Sequence, residues 1–435
     1  TPKPHRVRYS EQLNPQPRVK VLFTMRLAFY LLLLAGLATA CHLGRSVTRF
    51  QANITDHKIF PATPVSPGAV PFYFTPTANR DIPLRINGTR YALDSYLRDK
   101  TTTTAFLLIH QDSVLFERYY RGYGSTDVSN IFSVSKSVTA LLVGIALEDG
   151  YLGSVQDPIT AYLPELKDGH PYFRELTLEH LLNMRSGLDF SEGYSSPFSS
   201  VAKLYYGRHQ LRQIKKMDFE ARPGARRNYQ SVSTTLLGMA VERATGKELG
   251  RYLEEKIWQP LGMENPASWS VDDKKHRATK AFCCLNLTAR DLAKIGKLYL
   301  QEGQWDGRQI VSRDWVRRCT QPNMDNDCYQ YQWYSVEGIG RAKGEELLYP
   351  DSLAAVQGAR EQGYRHFYVD QKSRDKPDWH IRYCGPDYYA EGILGQFLYV
   401  QPERNIIAVR LGEKGDFDYE QLFQVLAERY GTKKE

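Results

Sequence analysis

The chain has 435 residues, 42% hydrophobic and 24% charged, with a formal net charge of +8. That length supports one large domain or two lobes around a substantial core, and 29 tyrosines with 6 tryptophans exclude a disordered or low-complexity chain. Part of the basic excess sits in the first 26 residues, and no basic stripe is interleaved with base-stacking aromatics, which argues against nucleic-acid binding.

In chain order, the first segment with a pattern is a targeting segment. Arg26 precedes the apolar run Leu27–Leu37, which ends in Ala38-Thr39-Ala40-Cys41. A basic start, an apolar stretch of about 7–15 residues and small residues at a cleavage point describe a secretory leader. The run is shorter than the roughly 20 residues that span a bilayer. Residues 1–40 are therefore expected to be a leader, with Met25 as the natural start and residues 1–24 upstream of it. Cys41 after Ala-Thr-Ala also resembles the lipid-bearing cysteine of a bacterial lipoprotein, although Leu37 stands four places before it instead of three. The expected location is export, as a periplasmic protein or a membrane-anchored lipoprotein attached through Cys41 or the N-terminal segment. The six cysteines form no C-x-x-C pair, no Cys/His set with zinc spacing and no disulfide framework. Asn53, Asn87 and Asn286 head sequons by pattern only.

Residues 41 to about 100, punctuated by Pro61, Pro64, Pro67 and Pro71, read as irregular approach structure. Thr104–His110 and Ser113–Tyr120 then predict a hairpin turning at Gln111 and Asp112. From Ile131 a small polar cluster gives way to an apolar run in which Val138, Leu141, Leu142, Ile145 and Ala146 recur at helical spacing, with Gly150 as the stop. A short amphipathic helix over Thr177–Met184 breaks at Ser186-Gly187 and makes His180 a structural histidine. Residues 188–222 are polar, aromatic and weakly periodic, and predict a surface excursion able to wall a cleft. Helices follow at Ser233–Ala244, Leu249–Ile257 and Thr288–Gln301. The last third returns to strands at Tyr388–Glu391, Phe397–Val400 and Ile406–Leu411, and closes with a helix from Asp418 to Tyr430. Strands at both ends with helices between predict an α+β fold: one antiparallel sheet built from both chain ends, flanked by helices, with a mostly helical lobe between. Its expected limits are a single domain over 41–435, with a sheet lobe at about 41–130 and 330–435 and a helical lobe at about 131–329.

The spacing Ser-x-x-Lys occurs at Ser133–Lys136, Ser200–Lys203 and Ser373–Lys376. Only the first opens an apolar helix; the second lies in a Tyr- and Ser-rich stretch, the third in a charged loop. Ser133 at a helix N-terminus and Lys136 one turn on share a face, as a nucleophile and its base require.

Five segments taken together resemble the class C β-lactamase-related serine hydrolases, a group of penicillin-binding proteins, D-amino-acid peptidases, esterases and 6-aminohexanoate-oligomer hydrolases. They are Phe132–Lys136, Leu178–Leu188, Pro223-Gly224 with Tyr229-Gln230-Ser231, Leu292–Leu300, and Ala390–Gln396. The resemblance covers residues of about 100–430 and implies a β-lactamase/transpeptidase-like fold. It implies Ser133 as the nucleophile, Lys136 and Tyr229 as its proton-handling partners, and the N–H groups of Ser133 and Ile393 as an oxyanion hole. Gly392 and Gly395 would allow close approach, and Ser231 would touch the substrate or the lysine. Which of Lys136 and Tyr229 is the acylation base is left open by this pattern. Where many members carry Lys-Thr-Gly or His-x-Gly, this chain has Ala390-Glu391-Gly392, without the basic residue that holds a β-lactam carboxylate. The resemblance therefore implies an esterase or amidase that cleaves a small ester or amide through an acyl-enzyme, with no metal and no cofactor. The alternatives are penicillin-binding, β-lactamase or D-amino-acid peptidase activity, or a binding or sensor protein that acylates once or never.

Overall fold

A computed structural model describes Tyr30 and residues 51–430 apart from 87, 343–344, 374–375 and 417–418. The expected leader, Cys41 and the sequon at Asn87 lie outside the described residues. Among the described residues no helix is long and apolar enough to cross a membrane.

The approach segment is more ordered than its sequence predicts. Strand β1 (Ala62–Val65), a hairpin of β2 (Pro83–Ile86) and β3 (Thr89–Ala92), and helix α1 (Leu93–Lys100) lie within it. Strand β1 has its partner about 200 residues along the chain, and β2 and β3, though neighbours in sequence, are four residues each, too short to display an alternation.

The predicted hairpin is β4 (Thr103–His110) with β5 (Ser113–Tyr119). Its turn places both Gln111 and Asp112 at positive φ, +47° and +63°, the geometry that matches strand twist in a two-residue loop. A short strand β6 (Ser129–Asn130) leads into helix α2 (Val134–Glu148). Next come α3 (Leu178–Leu182), α4 (Ser200–Tyr206), α5 (Gln210–Ile214) and α6 (Ser231–Thr245), which ends at Gly246 with φ +69°. Strands β7 (Ala267–Ser270) and β8 (Leu285–Leu287) precede helix α7 (Ala289–Leu300). The chain finishes through β9 (Trp333–Ile339), β10 (Phe367–Ser373), the long β11 (Lys376–Gly392), β12 (Gln396–Gln401), β13 (Ile406–Gly412) and α8 (Tyr419–Tyr430).

The main sheet joins both chain ends, as expected. Its central order is β9–β11–β12–β13–β4–β5, all antiparallel, within a sheet of 10 strands. Strand β4 explains why Thr103–Ile109 reads as an unbroken apolar run. Leu107 and Ile109 pack into the core shared with α2, α6 and α7, while Phe106 and Leu108 pack under α1 and α8 with Phe423 and Leu426. A strand covered on both faces has no polar alternation to display. Four further strands form a small second sheet in the order β1–β7–β8–β6. It positions Asn130 beside the start of α2.

Helix α2 is buried from Val134 to Ala146. Its polar residues are satisfied by neighbouring chain: Ser137 Oγ donates to Gln332 O (2.7 Å), Thr139 Oγ1 donates to Ala281 O (2.9 Å), and Ser135 Oγ accepts from Leu285 N (3.2 Å). Buried hydroxyls without such partners would destabilise the helix. Where α2 meets the Trp315 indole, Gly144 leaves room that a Cβ, 2.3 Å from Cδ1, would remove.

Among the described residues two disulfides are present. Cys328–Cys384 ties the edge of the main sheet together, and Cys283–Cys284 joins adjacent residues; Cys319 is a buried thiol. The pairing was not readable from spacing, because the 328 and 384 partners meet only through strand pairing.

Candidate active site

Ser133 caps α2 and remains partly exposed, while Lys136 is buried at 2% exposure. Lys136 Nζ lies 2.8 Å from Ser133 Oγ and donates to Phe282 O at 2.9 Å. Its ammonium also faces the rings of Tyr229 and Phe282, 5.0 and 5.7 Å from their centroids. Burial pulls its pKa down from 10.5 to about 8, opposed by the negative charge of Glu192. In the neutral amine one N–H serves Phe282 O, and the lone pair is free to accept the Ser133 proton.

Tyr229 is half-buried, with its ring beside the Lys136 ammonium and its hydroxyl near Ser133. Burial raises its pKa well above the usual phenol value, helped by Tyr334, Tyr329 and Tyr194 nearby. The phenol therefore keeps its proton at neutral pH. Of the two base candidates left open by the sequence, only Lys136 has an accessible unprotonated form.

The backbone just before Ser133 is held in a sparsely populated conformation. Phe132 has φ +45°, which an aromatic residue rarely adopts. Asn130 Oδ1 fixes it by accepting from Phe132 N (2.9 Å) and Cys284 N (3.1 Å). Gly392, at the end of β11, packs against this same segment: a Cβ there would lie 2.5 Å from Ile131 O and 3.2 Å from Phe132 Cβ. That close approach brings Ile393 into the cavity that Ser133 lines. Among the described residues neither the Ser133 N–H nor the Ile393 N–H has a protein acceptor.

The cavity has a volume of about 400 Å³, and its walls include Phe132, Tyr194, Val201, Tyr205, Phe282 and Leu394. The 188–222 excursion does wall it, but with more order than its sequence predicts. Helix α4 lies in it with Val201, Leu204, Tyr205 and Tyr206 buried, so the second Ser-x-x-Lys copy does open a partly buried helix. Lys203 there is exposed and no base contact forms with Ser200. The third copy sits at the β10–β11 turn, where Ser373 pairs with Lys376 across the strands.

Ser231 lines the same cavity as Ser133, as a substrate contact requires, but it does not reach the lysine: its Oγ donates to Glu192 Oε1 at 2.5 Å and its N to Glu192 Oε2 at 2.9 Å. Gly395 lies in the β11–β12 turn at φ +77°, where its carbonyl accepts from Arg410 Nη1 at 2.7 Å. A Cβ at Gly395 would collide with Arg410 Nη1, so this glycine makes room for a buried arginine and does not line the cavity. His180 is structural as expected: it forms a reciprocal cap with Thr177 at the start of α3. Sequence reasoning missed Asn130, Glu192 and the Phe282 carbonyl: Asn130 acts through backbone N–H groups that no motif marks, and the other two come from distant segments.

With Lys136 acting as the base in its neutral form, kcat/KM for p-nitrophenyl acetate is expected to rise with pH through an apparent pKa near 8. Glu192→Gln removes the charge that holds the proton on Lys136, so this limb is expected to move to lower pH. A pH–rate profile that stays put or moves upward would disconnect Glu192 from Lys136.

A mixed α+β architecture with this sheet order is the β-lactamase/transpeptidase-like fold. A protein from Bacillus anthracis, provisionally named a 6-aminohexanoate-dimer hydrolase, superposes with a TM-score of 0.67 at 20% identity, over 87% of this chain and 91% of that one. A family VIII carboxylesterase superposes with a TM-score of 0.52 at 15% identity, over 77% of this chain and 94% of the other. A family model described as Beta-lactamase matches residues 93–425, and the chain belongs to that family. Among curated proteins, the 6-aminohexanoate-dimer hydrolase of Paenarthrobacter ureafaciens is 32% identical over 229 residues, which span 50% of this chain and 57% of that protein. The esterase EstB of Burkholderia gladioli is 27% identical over 204 residues, 42% of this chain and 51% of the relative. The relatives thus include both an amide hydrolase and an esterase.

Proposed function

We propose that this protein is an exported serine hydrolase that cleaves a small ester or amide through an acyl-enzyme on Ser133. The observation that carries the reading is the 2.8 Å contact between Ser133 Oγ and a lysine whose burial brings its pKa to about 8. Lys136 takes the hydroxyl proton as Oγ attacks the carbonyl carbon. The oxyanion is received by the N–H groups of Ser133 and Ile393, which are unpaired and line the same cavity. Tyr229, still protonated, gives its proton to the departing alkoxide or amine and regains one from Lys136. Water then attacks the acyl carbon, losing a proton to Lys136, and the tetrahedral intermediate releases the acid as Ser133 Oγ takes that proton back from Lys136. The apolar walls of the cavity favour an uncharged acyl chain over a polar one. Ala390-Glu391-Gly392 offers no cation for a β-lactam carboxylate, which supports ester or amide turnover over β-lactam hydrolysis. Export is supported by the leader pattern and by the Cys328–Cys384 bridge, since disulfides persist in oxidising compartments. Recovery of the protein in the cytoplasmic fraction would count against export.

The direct test is incubation with a fluorophosphonate, intact mass and peptide mapping, beside turnover of p-nitrophenyl acetate and butyrate. One adduct on Ser133 and loss of turnover in Ser133→Ala are expected. An adduct without turnover in the wild type would instead indicate a protein that acylates once.

A further inference from the structure

A second cavity, of about 910 Å³, lies outside the candidate active site, with His209, Gln210, Asp272 and His276 on its wall. His209, just before α5, and His276, in the loop after β7, bring their rings to a centroid separation of 3.7 Å. Asp273 completes the group: its Oδ2 lies 2.9 Å from His276 Nδ1, and one ligand atom from each of the three residues falls within 4.8 Å of the others. We propose that His209, Asp273 and His276 bind a divalent transition metal ion, with zinc the best fit to a set of two imidazoles and one carboxylate.

Four observations support the site beyond proximity. The loop carrying Asp273 and His276 is fixed by its own hydrogen bonds, Asp273 Oδ1 accepting from Lys275 N and His276 N at 2.7 Å each. Asp272 ties that loop to the other ligand segment, because its Oδ2 accepts from His209 N at 3.0 Å and its Oδ1 accepts from Ala278 N at 3.0 Å. Gln210, fully buried beside His209 on the same cavity, has neither amide atom paired with protein, so it offers an acceptor and a donor to a water on the metal. Of the cations on the cavity wall, Arg277 pairs with Glu248, Lys215 with Asp168, Arg243 with Glu165 and Lys247 with Glu255, while Lys275 and Arg212 are offset by the carboxylates of Asp272 and Asp273. A lattice of three protein ligands leaves a position open for water.

The site would also act as a clip. His209 follows α4, whose Val201, Tyr205 and Tyr206 wall the candidate active site, and His276 lies in the loop leading to Phe282. A metal held between them joins the two segments without depending on the hydrolase reading.

The test uses the full chain after chelator treatment, titrated with Zn²⁺ by calorimetry and with Co²⁺ by visible absorption. One equivalent of Zn²⁺, a Co²⁺ spectrum and a metal-dependent rise in Tm are expected in the wild type. His209→Asn, chosen because asparagine tolerates the local φ of +58°, and His276→Gln are each expected to weaken binding at least tenfold while leaving the metal-free Tm unchanged. The absence of saturable binding in the wild type, or equal binding in both variants, would overturn the proposal.

Discussion

Lys136→Met is expected to lower kcat/KM for p-nitrophenyl acetate by about 10³-fold or more while making the protein more stable at pH 7. The first half follows from removing the buried amine in contact with Ser133 Oγ, since general-base assistance is worth roughly 10²–10⁴ in rate. The second half follows from linkage. Lys136 has a pKa of about 8 in the folded protein and 10.5 as a free side chain. Below about pH 8 both states hold the proton, and folding must bury a charge at a cost on the order of 3 kcal/mol by the pKa gap. Between the two values the unfolded chain binds more protons, so stability rises with pH and the penalty fades. Methionine fills similar volume without the charge, so its stabilising effect should shrink as pH approaches 10. Urea denaturation of both proteins at pH 7 and pH 10 checks this directly. Retention of a tenth of the activity by Lys136→Met would move the base elsewhere, and loss of stability at pH 7 would mean that Lys136 is better solvated than its burial indicates.

Gly392→Ala is expected to reduce turnover by about 10²-fold with a much smaller effect on folding. The new Cβ would stand 2.5 Å from Ile131 O, a backbone atom that cannot rotate away. The strand end must therefore retreat from the segment that holds Phe132 and Ser133. The retreat separates the Ile393 N–H from the nucleophile, and displacements near 1 Å at a reacting centre lower rates by about 10²-fold. Gly385→Ala serves as the control, because it lies on the same strand with its nearest atom at 3.4 Å, an ordinary contact. Comparable kinetics in the two variants would show that Gly392 does not position the oxyanion donors. A similar fall in both kcat and Tm for Gly392→Ala would identify a folding defect.

The elements legible in the sequence were those whose stabilising contacts repeat locally. The α2 helix shows its buried stripe at 3.6-residue spacing, the β4–β5 hairpin shows two apolar runs around a short turn, and α6 shows its stop at Gly246. The α4 helix was missed because its buried residues Val201, Leu204, Tyr205 and Tyr206 are set among Ser and Tyr, with too short a run to establish a period. The region 302–387 carried no predicted elements. There β9 takes its order from β11, well along the chain, while β10 and the first part of β11 form a local hairpin whose charged and aromatic residues show no clean apolar alternation.

At the candidate site the sequence identified residues by spacing, and spacing fixes only what one helix turn fixes. Ser133 and Lys136 share a face because they are three apart on one helix, so their 2.8 Å contact was determined locally. Everything that tunes them comes from elsewhere: Phe282 O and Tyr229 beside the lysine, Asn130 behind Phe132, Glu192 on Ser231, Gly392 against Ile131. By itself the sequence determined the family pattern, the sheet drawn from both chain ends and the juxtaposition of Ser133 and Lys136. Only the tertiary structure decided that Ser231 serves Glu192, that Gly395 makes room for Arg410 and that burial leaves Lys136 able to lose its proton while Tyr229 keeps its own. The reason is physical: helical and strand periodicities act over a few residues, whereas desolvation, close backbone approach and the pairing of buried polar groups depend on segments up to about 300 residues apart being brought together.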